Sequence, residues 1–305
     1  DLKNYLATTF SKSSLQKLNR YQRRLEQCFD IDYKMFYGAI EKVEYDHIFE
    51  HFKFLLTKRF DDKQITNNNL DPAEWEFYKE VVYPLILEKK ASLYVIYNKQ
   101  TPISIRLSYY NDNISFDAIT TFDIDYAKFH LGKISILKIL EWSFEKELKF
   151  FDFSKGYFDY KESWGTIKYD FEYHIYYDKK SFAATVLANS IAFLFKTKQF
   201  LRDKKLNEKL HQFTYLFKNK TSSLYPTIKD LSEEQYVINE QNLEEVTLNG
   251  DLSYLKKHRN DFLFLSSAHL NQVKVYKVID ANKNGKELVF LFRSERQQKL
   301  IAINS

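Results

Sequence analysis

Three strand-like runs follow one another between residues 92 and 122, and the connections between them are too short for anything but pairing with a neighbour. They read SLYVIYN (92–98), PISIRLSYY (102–110) and ISFDAITTF (114–122), separated by Lys-Gln-Thr-Pro and Asn-Asp-Asn. β-branched and aromatic residues dominate each run, and turns of this length join only antiparallel strands. An antiparallel meander is therefore fixed near the middle of the chain, and the rest must pack around it.

The flanking periodicity is helical. Leu15, Leu18 and Leu25 line one side of 13–26, and Ile48, Phe52, Leu55 and Leu56 line 45–60. Between them, 29–38 alternates like a strand. Asp71-Pro72 is a helix start, with a capping side chain followed by proline at the first helical position. Ile134, Leu137, Leu140 and Phe144 predict a helix over 133–147, followed by a short strand at 149–154, a short helix or turn at 157–165 and two strand-like stretches around 167–177. Residues 181–220 read as one or two long helices. A boundary is expected near 221–228, then a small module over 229–305 whose clearest piece is a hairpin, 273–280 with 287–292. The predicted fold class is α+β: a mixed, mostly antiparallel sheet flanked by helices, long helices after it, and a small C-terminal α+β module. The predicted domains are 1–220 and 229–305.

Composition removes several function classes. One cysteine among 305 residues leaves no disulfide framework, four-thiolate zinc site or Cys-x-x-Cys redox pair. With six glycines, neither Gly-x-Gly-x-x-Gly nor a Walker A loop is present. The net charge of +5 is concentrated in 196–220, which carries eight basic and two acidic residues. A continuous basic face for nucleic acid is therefore not expected. No apolar run reaches the ~18 residues of a membrane span. The chain opens on Asp1 rather than methionine, which leaves a segment ahead of it open.

Four places carry candidate chemistry. In the first, strand 114–122 runs through DIDYAKFHLGKIS into a helix. Its unpaired N–H groups suit a pyrophosphate, with Gly132 for close approach and Lys128 and Lys133 for charge; an ordinary turn is the competing reading. In the second, FDFSKGYFDYKESWG (151–165) crowds Asp152, Tyr157, Asp159, Tyr160, Lys161 and Trp164 at the end of a strand, a common place for chemistry. The third is His47-Ile48-Phe49-Glu50-His51, which has the spacing of an inverted zinc motif but lacks a third ligand, so no metal is expected. In the fourth, Phe200, Leu201, Leu206, Leu210, Phe213 and Phe217 form an apolar stripe among Lys198, Arg202, Lys204, Lys205 and Lys209. The favoured reading there is a helix packed on the catalytic domain with a solvated lysine face; the competing one is contact with an anionic membrane or with tRNA phosphates.

The run from Ala127 to Gly165 resembles the core of the GNAT acyltransferase superfamily, through Leu131-Gly132, the amphipathic helix, Phe151-Asp152-Phe153, Gly156, Tyr160-Lys161 and Trp164-Gly165. More narrowly, it is similar to the CelD-like putative acetyltransferases, kin of the Fem aminoacyltransferases. The resemblance implies that acyl-CoA (acetyl-CoA) enters as cosubstrate between strands 114–122 and 149–154. Backbone amides of His130, Leu131, Gly132, Lys133 and Ile134 would seat its diphosphate, and an amide near Thr120 or Thr121 would form an oxyanion hole. Asp152 or Asp117 would take a proton from the acceptor, and Tyr160, or else Tyr157, would protonate the leaving thiolate. Lys161 and Trp164 would contact the acceptor, an amine or hydroxyl of a small molecule or cell-envelope precursor. The expected setting is cytoplasmic, with peripheral membrane contact through 196–220 as the competing reading of that stretch. A Fem-like aminoacyl-tRNA donor and a non-catalytic scaffold are the alternatives.

Overall fold

The computed structural model describes residues 1–156, 158–204, 228–231, 238–279 and 287–304. Tyr157, most of the basic stretch beyond 204, the expected boundary at 221–227 and the turn of the C-terminal hairpin lie outside them.

The chain opens with α1 (Leu2–Thr9), α2 (Lys12–Cys28), β1 (Ile31–Phe36), α3 (Lys42–Asp62) and α4 (Pro72–Leu87). The meander follows as β2 (Ala91–Asn98), β3 (Thr101–Asn111) and β4 (Ile114–Phe122). Then come α5 (Leu131–Glu145), β5 (Phe150–Asp152), α6 (Asp159–Trp164) and α7 (Phe182–Asp203). Asp71 caps α4 by accepting the Ala73 amide at 3.1 Å, as its pairing with Pro72 predicts.

The first sheet runs in the order β1-β2-β3-β4-β5. Every pairing is antiparallel except β4 with β5, which is parallel. Its two faces bury different layers. Leu93, Val95, Ile105, Leu107 and Ile119 pack against Tyr45, Phe49, Phe52 and Trp75 of α3 and α4. Tyr94 and Ile96 pack against Leu25 of α2 and Ile134 and Ile139 of α5. This is the predicted mixed, mostly antiparallel α+β layout.

Residues 167–177 depart from expectation. They alternate as Ile167, Tyr169, Phe171, Tyr173 against charged neighbours, yet they join no sheet. Alternation selects a face only where a partner strand lies alongside. Here the chain leaves the sheet at α6. Tyr169 donates to the Asp152 carboxylate and Tyr173 stacks on Phe195 of α7, 4.8 Å between ring centroids. The segment is thus a strap across the β5 end of the domain.

The C-terminal part holds β6 (Ile228–Leu231), β7 (Leu243–Glu245), α8 (Lys256–Ser266), β8 (Lys274–Val278), β9 (Glu287–Arg293) and β10 (Gln298–Asn304). Its own five-stranded antiparallel sheet has the order β6-β10-β9-β8-β7. The expected β8–β9 hairpin pairs Lys274 with Arg293 through Val278 with Val289. This part also reaches the core beneath the first sheet: Leu263 of α8 is fully buried with Leu25, Cys28, Leu131 and Ile134.

Candidate active site

β4 and β5 pair only from Ile114–Phe150 to Phe116–Asp152. Beyond that point β4 continues for six residues with no strand on its outer side among the described residues. One position further on, the β3–β4 register slips, since Leu107 faces Ile119 while Ser108 faces Asp117. Ala118 is therefore an extra residue, exposed at the mouth of the opening. A bulge of this kind bends a strand and re-aims its groups. The Asp123 amide bonds the Ile103 carbonyl at 2.8 Å. By the alternation of an antiparallel ladder, main-chain groups of Thr121 then face β3, and those of Thr120 and Phe122 face the open edge.

Of the two threonines, Thr120 is therefore the one whose amide looks into the gap. Thr121 is fully buried. The Thr120 carbonyl accepts a hydrogen bond from Arg59 Nη1 at 3.3 Å, and the same guanidinium lies 4.5 Å from the centre of the Phe122 ring. Arg59 comes from the end of α3. Its neighbour Lys58 pins that end by pairing with Asp123 at 2.6 Å and Asp125 at 2.7 Å.

Under the gap lies a buried polar floor. Arg106 of β3 is 1% exposed. Its Nη1 stands 2.5 Å from Asp117 Oδ2 as an ion pair rather than a directional hydrogen bond, and its Nε donates to Ser135 of α5 at 3.2 Å. The other Asp117 oxygen accepts from the Thr120 hydroxyl at 3.0 Å. Tyr160 of α6 senses this group: burial and the Asp117 charge push its pKa up, while Arg106 and Arg59 oppose the shift. A phenol so placed is protonated at neutral pH.

The remaining expected residues have separate placements. Asp152 accepts the Ser154 amide at 2.7 Å on one oxygen and the Tyr169 hydroxyl on the other. Lys161 bonds the carbonyls of Ser154 at 3.2 Å and Lys155 at 2.9 Å, and burial lowers its pKa against the pull of Asp117 and Asp152. Trp164 is 3% exposed, packed edge-on to Phe10 and grouped with Leu18, Ile136, Leu137 and Leu140. A cavity of about 1250 Å³ lies between β5, α6, the strap and α7; Asp152, Lys161 and one edge of Trp164 line it, among Phe151, Phe171 and Tyr173. None of the residues at the start of α5 reaches it.

At that start, His130 takes the left-handed conformation (φ 53°) and turns the chain into the helix. Its carbonyl accepts the amides of Lys133 and Ile134. The amides of Leu131 and Gly132 have no hydrogen-bond partner among the described residues. Free N–H groups at a helix start are what an anion meets. Lys133 is exposed beside them, and Lys128 stands 3.7 Å from Asp261. Burial and the Lys133 charge hold the His130 imidazole below its usual pKa. The Phe122 ring lies against Gly132, where an added Cβ would meet it at 3.1 Å, so the missing side chain makes room for that ring.

The rings of the α3 histidine pair lie 4.3 Å apart and tilted, and His51 Nδ1 lies 3.1 Å from the His47 carbonyl. Among the described residues no group of three or more His, Cys, Asp or Glu side chains could hold a metal.

Arg59 and Arg106 were not among the expected site residues. Arg106 did carry a signal, being a lone charge inside the apolar run of β3. Arg59 carried none, since a basic residue at a helix end is ordinary.

A β4 that separates from a short parallel β5, with an α-helix opening beside the gap, defines the GNAT class of acyltransferase fold. Residues 12–162 match the family model of the acetyltransferase (GNAT) domain, and that stretch is a GNAT acetyltransferase domain. Similar solved structures include an aminoglycoside acetyltransferase from an uncultured soil metagenomic sample in complex with trehalose, at 12% identity over 49% of this chain and 97% of that one, with a TM-score of 0.34. Another is aminoglycoside N-acetyltransferase AAC(6')-Iy in complex with CoA, at 13% identity over 50% and 95%, with a TM-score of 0.31. No curated protein matches the chain.

Proposed function

We propose that the domain transfers an acyl group from acyl-CoA to an amine or hydroxyl acceptor. The observation that carries this reading is the open edge of β4 beyond Phe116, with Tyr160 on one side and the free amides of Leu131 and Gly132 on the other. Acyl-CoA, when bound, supplies an activated thioester. The chain's residues do the rest. The amides of Leu131 and Gly132, with Lys133 and Lys128, hold the diphosphate. The Thr120 amide donates to the carbonyl oxygen as charge builds there. Tyr160 keeps a proton on its hydroxyl for the leaving sulfur. Asp152 is the better-placed base for the acceptor's proton, because it lines the cavity while Asp117 is buried and paired with Arg106. Lys161, at the cavity wall, meets an acidic group of the acceptor.

The envelope-precursor acceptor rests on the CelD-like resemblance, and the Fem kinship makes aminoacyl-tRNA the competing donor. Thermal shift with acetyl-CoA, CoA and aminoacyl-tRNA tests the choice. A rise in Tm with the first two alone supports this reading. A rise with aminoacyl-tRNA alone replaces it.

A second reading concerns α7. The expected packing of the stripe Phe200–Phe217 lies mostly outside the described residues, and α7 ahead of it has an outward face of its own. Ala188 is buried and Phe195, itself partly exposed, stacks on Tyr173 of the strap, while Phe182, Val186, Leu187, Phe193, Leu194 and Phe200 are exposed. On a helical wheel those six share one arc, with Lys196 and Lys198 at its borders. An apolar arc edged by lysines suits an anionic lipid surface, and the wet lysine heads can reach phosphates while their stems stay in the acyl boundary. Among the described residues no helix is long and apolar enough to cross a membrane.

A further inference from the structure

The loop from β4 to α5 is held from outside its own domain. Residues Ile124–Phe129 form a 3-10 helix that ends on His130, at the start of α5. Asn260 of α8 is 1% exposed, and its Nδ2 donates to the Asp125 carbonyl at 3.1 Å. Arg259 fixes the orientation of that carboxamide by donating to Asn260 Oδ1 at 3.0 and 3.2 Å. One turn further along α8, Phe264 meets Phe129 edge-on at 5.2 Å and lies beside Tyr21, which stacks on His130 at 4.0 Å. Leu263 sits in the core under Leu131 and Ile134. The first domain grips the loop from its other sides, through Lys58 on Asp123 and Asp125, Asn98 on the Tyr126 hydroxyl, Phe29 against Tyr126 and Phe129, and Tyr21 against His130.

A helix start binds an anion well only if its free amides are already aimed, since ordering a loop at the moment of binding subtracts from affinity. The contacts of α8 do this ordering in advance. We propose that the C-terminal module is a built-in brace of the donor loop, with Asn260 as the positioning residue through which it sets affinity for acyl-CoA. The affinity half rests on the acyl-CoA reading above; the brace itself does not.

The test uses the full chain with Asn260→Ala and, separately, Phe264→Ala. In the ligand-free proteins, amide hydrogen exchange over 123–134 should quicken about five- to tenfold, the worth of one buried hydrogen bond, while β2 and β3 stay unchanged. The Kd for acetyl-CoA should rise by a similar factor, with kcat and the acceptor KM held. Should Asn260→Ala not fold, Phe264→Ala gives the same two readings. Unchanged exchange over 123–134, or an equal rise throughout the first sheet, overturns the brace. A fall in kcat at constant Kd overturns the assigned role in affinity. If the wild-type chain binds no acetyl-CoA, the donor reading and the affinity half fall together, and the exchange measurement still decides whether α8 holds the loop.

Discussion

Arg106 and Asp117 form a buried ion pair between adjacent strands, 2.5 Å apart, directly beneath the open edge of β4. Two opposite charges in so dry a place are tolerated only together. Removing one partner leaves the other uncompensated and costs about 3–5 kcal/mol, whereas replacing both by apolar residues of similar volume is often neutral. Asp117→Ala and Arg106→Met should therefore each lower stability by that amount in urea denaturation. The double variant Arg106→Met/Asp117→Leu should lose far less than the sum. Additive losses would show that the two residues act separately.

Tyr160→Phe removes one hydroxyl and leaves the ring. If that hydroxyl protonates the leaving sulfur, kcat should fall about a hundredfold or more with the Kd for acetyl-CoA unchanged. Its pKa is raised, mainly by burial, so the proton is still present through neutral and mildly alkaline pH. The wild-type rate should thus hold across that range and decline only above the ordinary phenol pKa of ~10. Full turnover in the Phe variant would remove Tyr160 from the mechanism.

Gly132→Ala places a methyl group 3.1 Å from the Phe122 ring. The ring must give way, at a cost of about 1–3 kcal/mol for an overpacked contact. Both Tm and acetyl-CoA affinity should fall, and Phe122→Leu should recover the Tm in the double variant. An unchanged Tm would mean the ring is not held there.

Alkaline stability follows from the buried tyrosines. Tyr110 and Tyr126 are each pushed up to about 12, chiefly by burial, against an unfolded value of 10.0. A group whose folded pKa exceeds its unfolded one contributes fully below the unfolded value and loses that contribution as pH rises toward the folded one. Unfolding stability should therefore be flat in this contribution up to about pH 10 and fall steeply from there to about pH 12. Phenolate absorbance should rise together with the loss of helix signal in circular dichroism. Ionisation of all tyrosines near their ordinary pKa with the fold intact would contradict the burial of these two.

The α7 arc makes a further prediction. Phe193→Asp should abolish co-sedimentation with vesicles containing anionic phospholipid, and Lys196→Glu should weaken it. Neither should alter binding of acetyl-CoA. Equal binding to neutral and anionic vesicles would remove the role of the lysines, and no binding by the wild-type chain would remove the membrane contact.

What could be read in advance was what periodicity and capping dictate. The 92–122 meander, the Asp71-Pro72 helix start and the helix after Gly132 appear where alternation, the cap and the 3.6 repeat place them. Tertiary register could not be read. Nothing local marks Ala118 as the residue that Leu107 and Ser108 skip, because a bulge is a property of two strands. Residues 167–177 carry a strong period of two, but alternation does not by itself pair a strand, and the segment is held instead by Tyr169 on Asp152 and Tyr173 on Phe195. Asp117 and Tyr160 could be nominated from chemistry. That Asp117 would pair with Arg106 depended on the register of β3 with β4, where Arg106 faces Thr120 and Asp117 faces Ser108 across the bulge.

The chain's lone thiol sits on the seam between its two parts. Cys28, at the end of α2, is fully buried and donates to the carbonyl of Leu263 at 3.4 Å, and burial pushes its pKa up to about 11. While the seam is closed, the sulfur is both hidden and protonated, and so inert to alkylating reagents. Every labelling event then records a parting of α8 from α2, and the labelling rate counts how often the two halves of the molecule let go of each other.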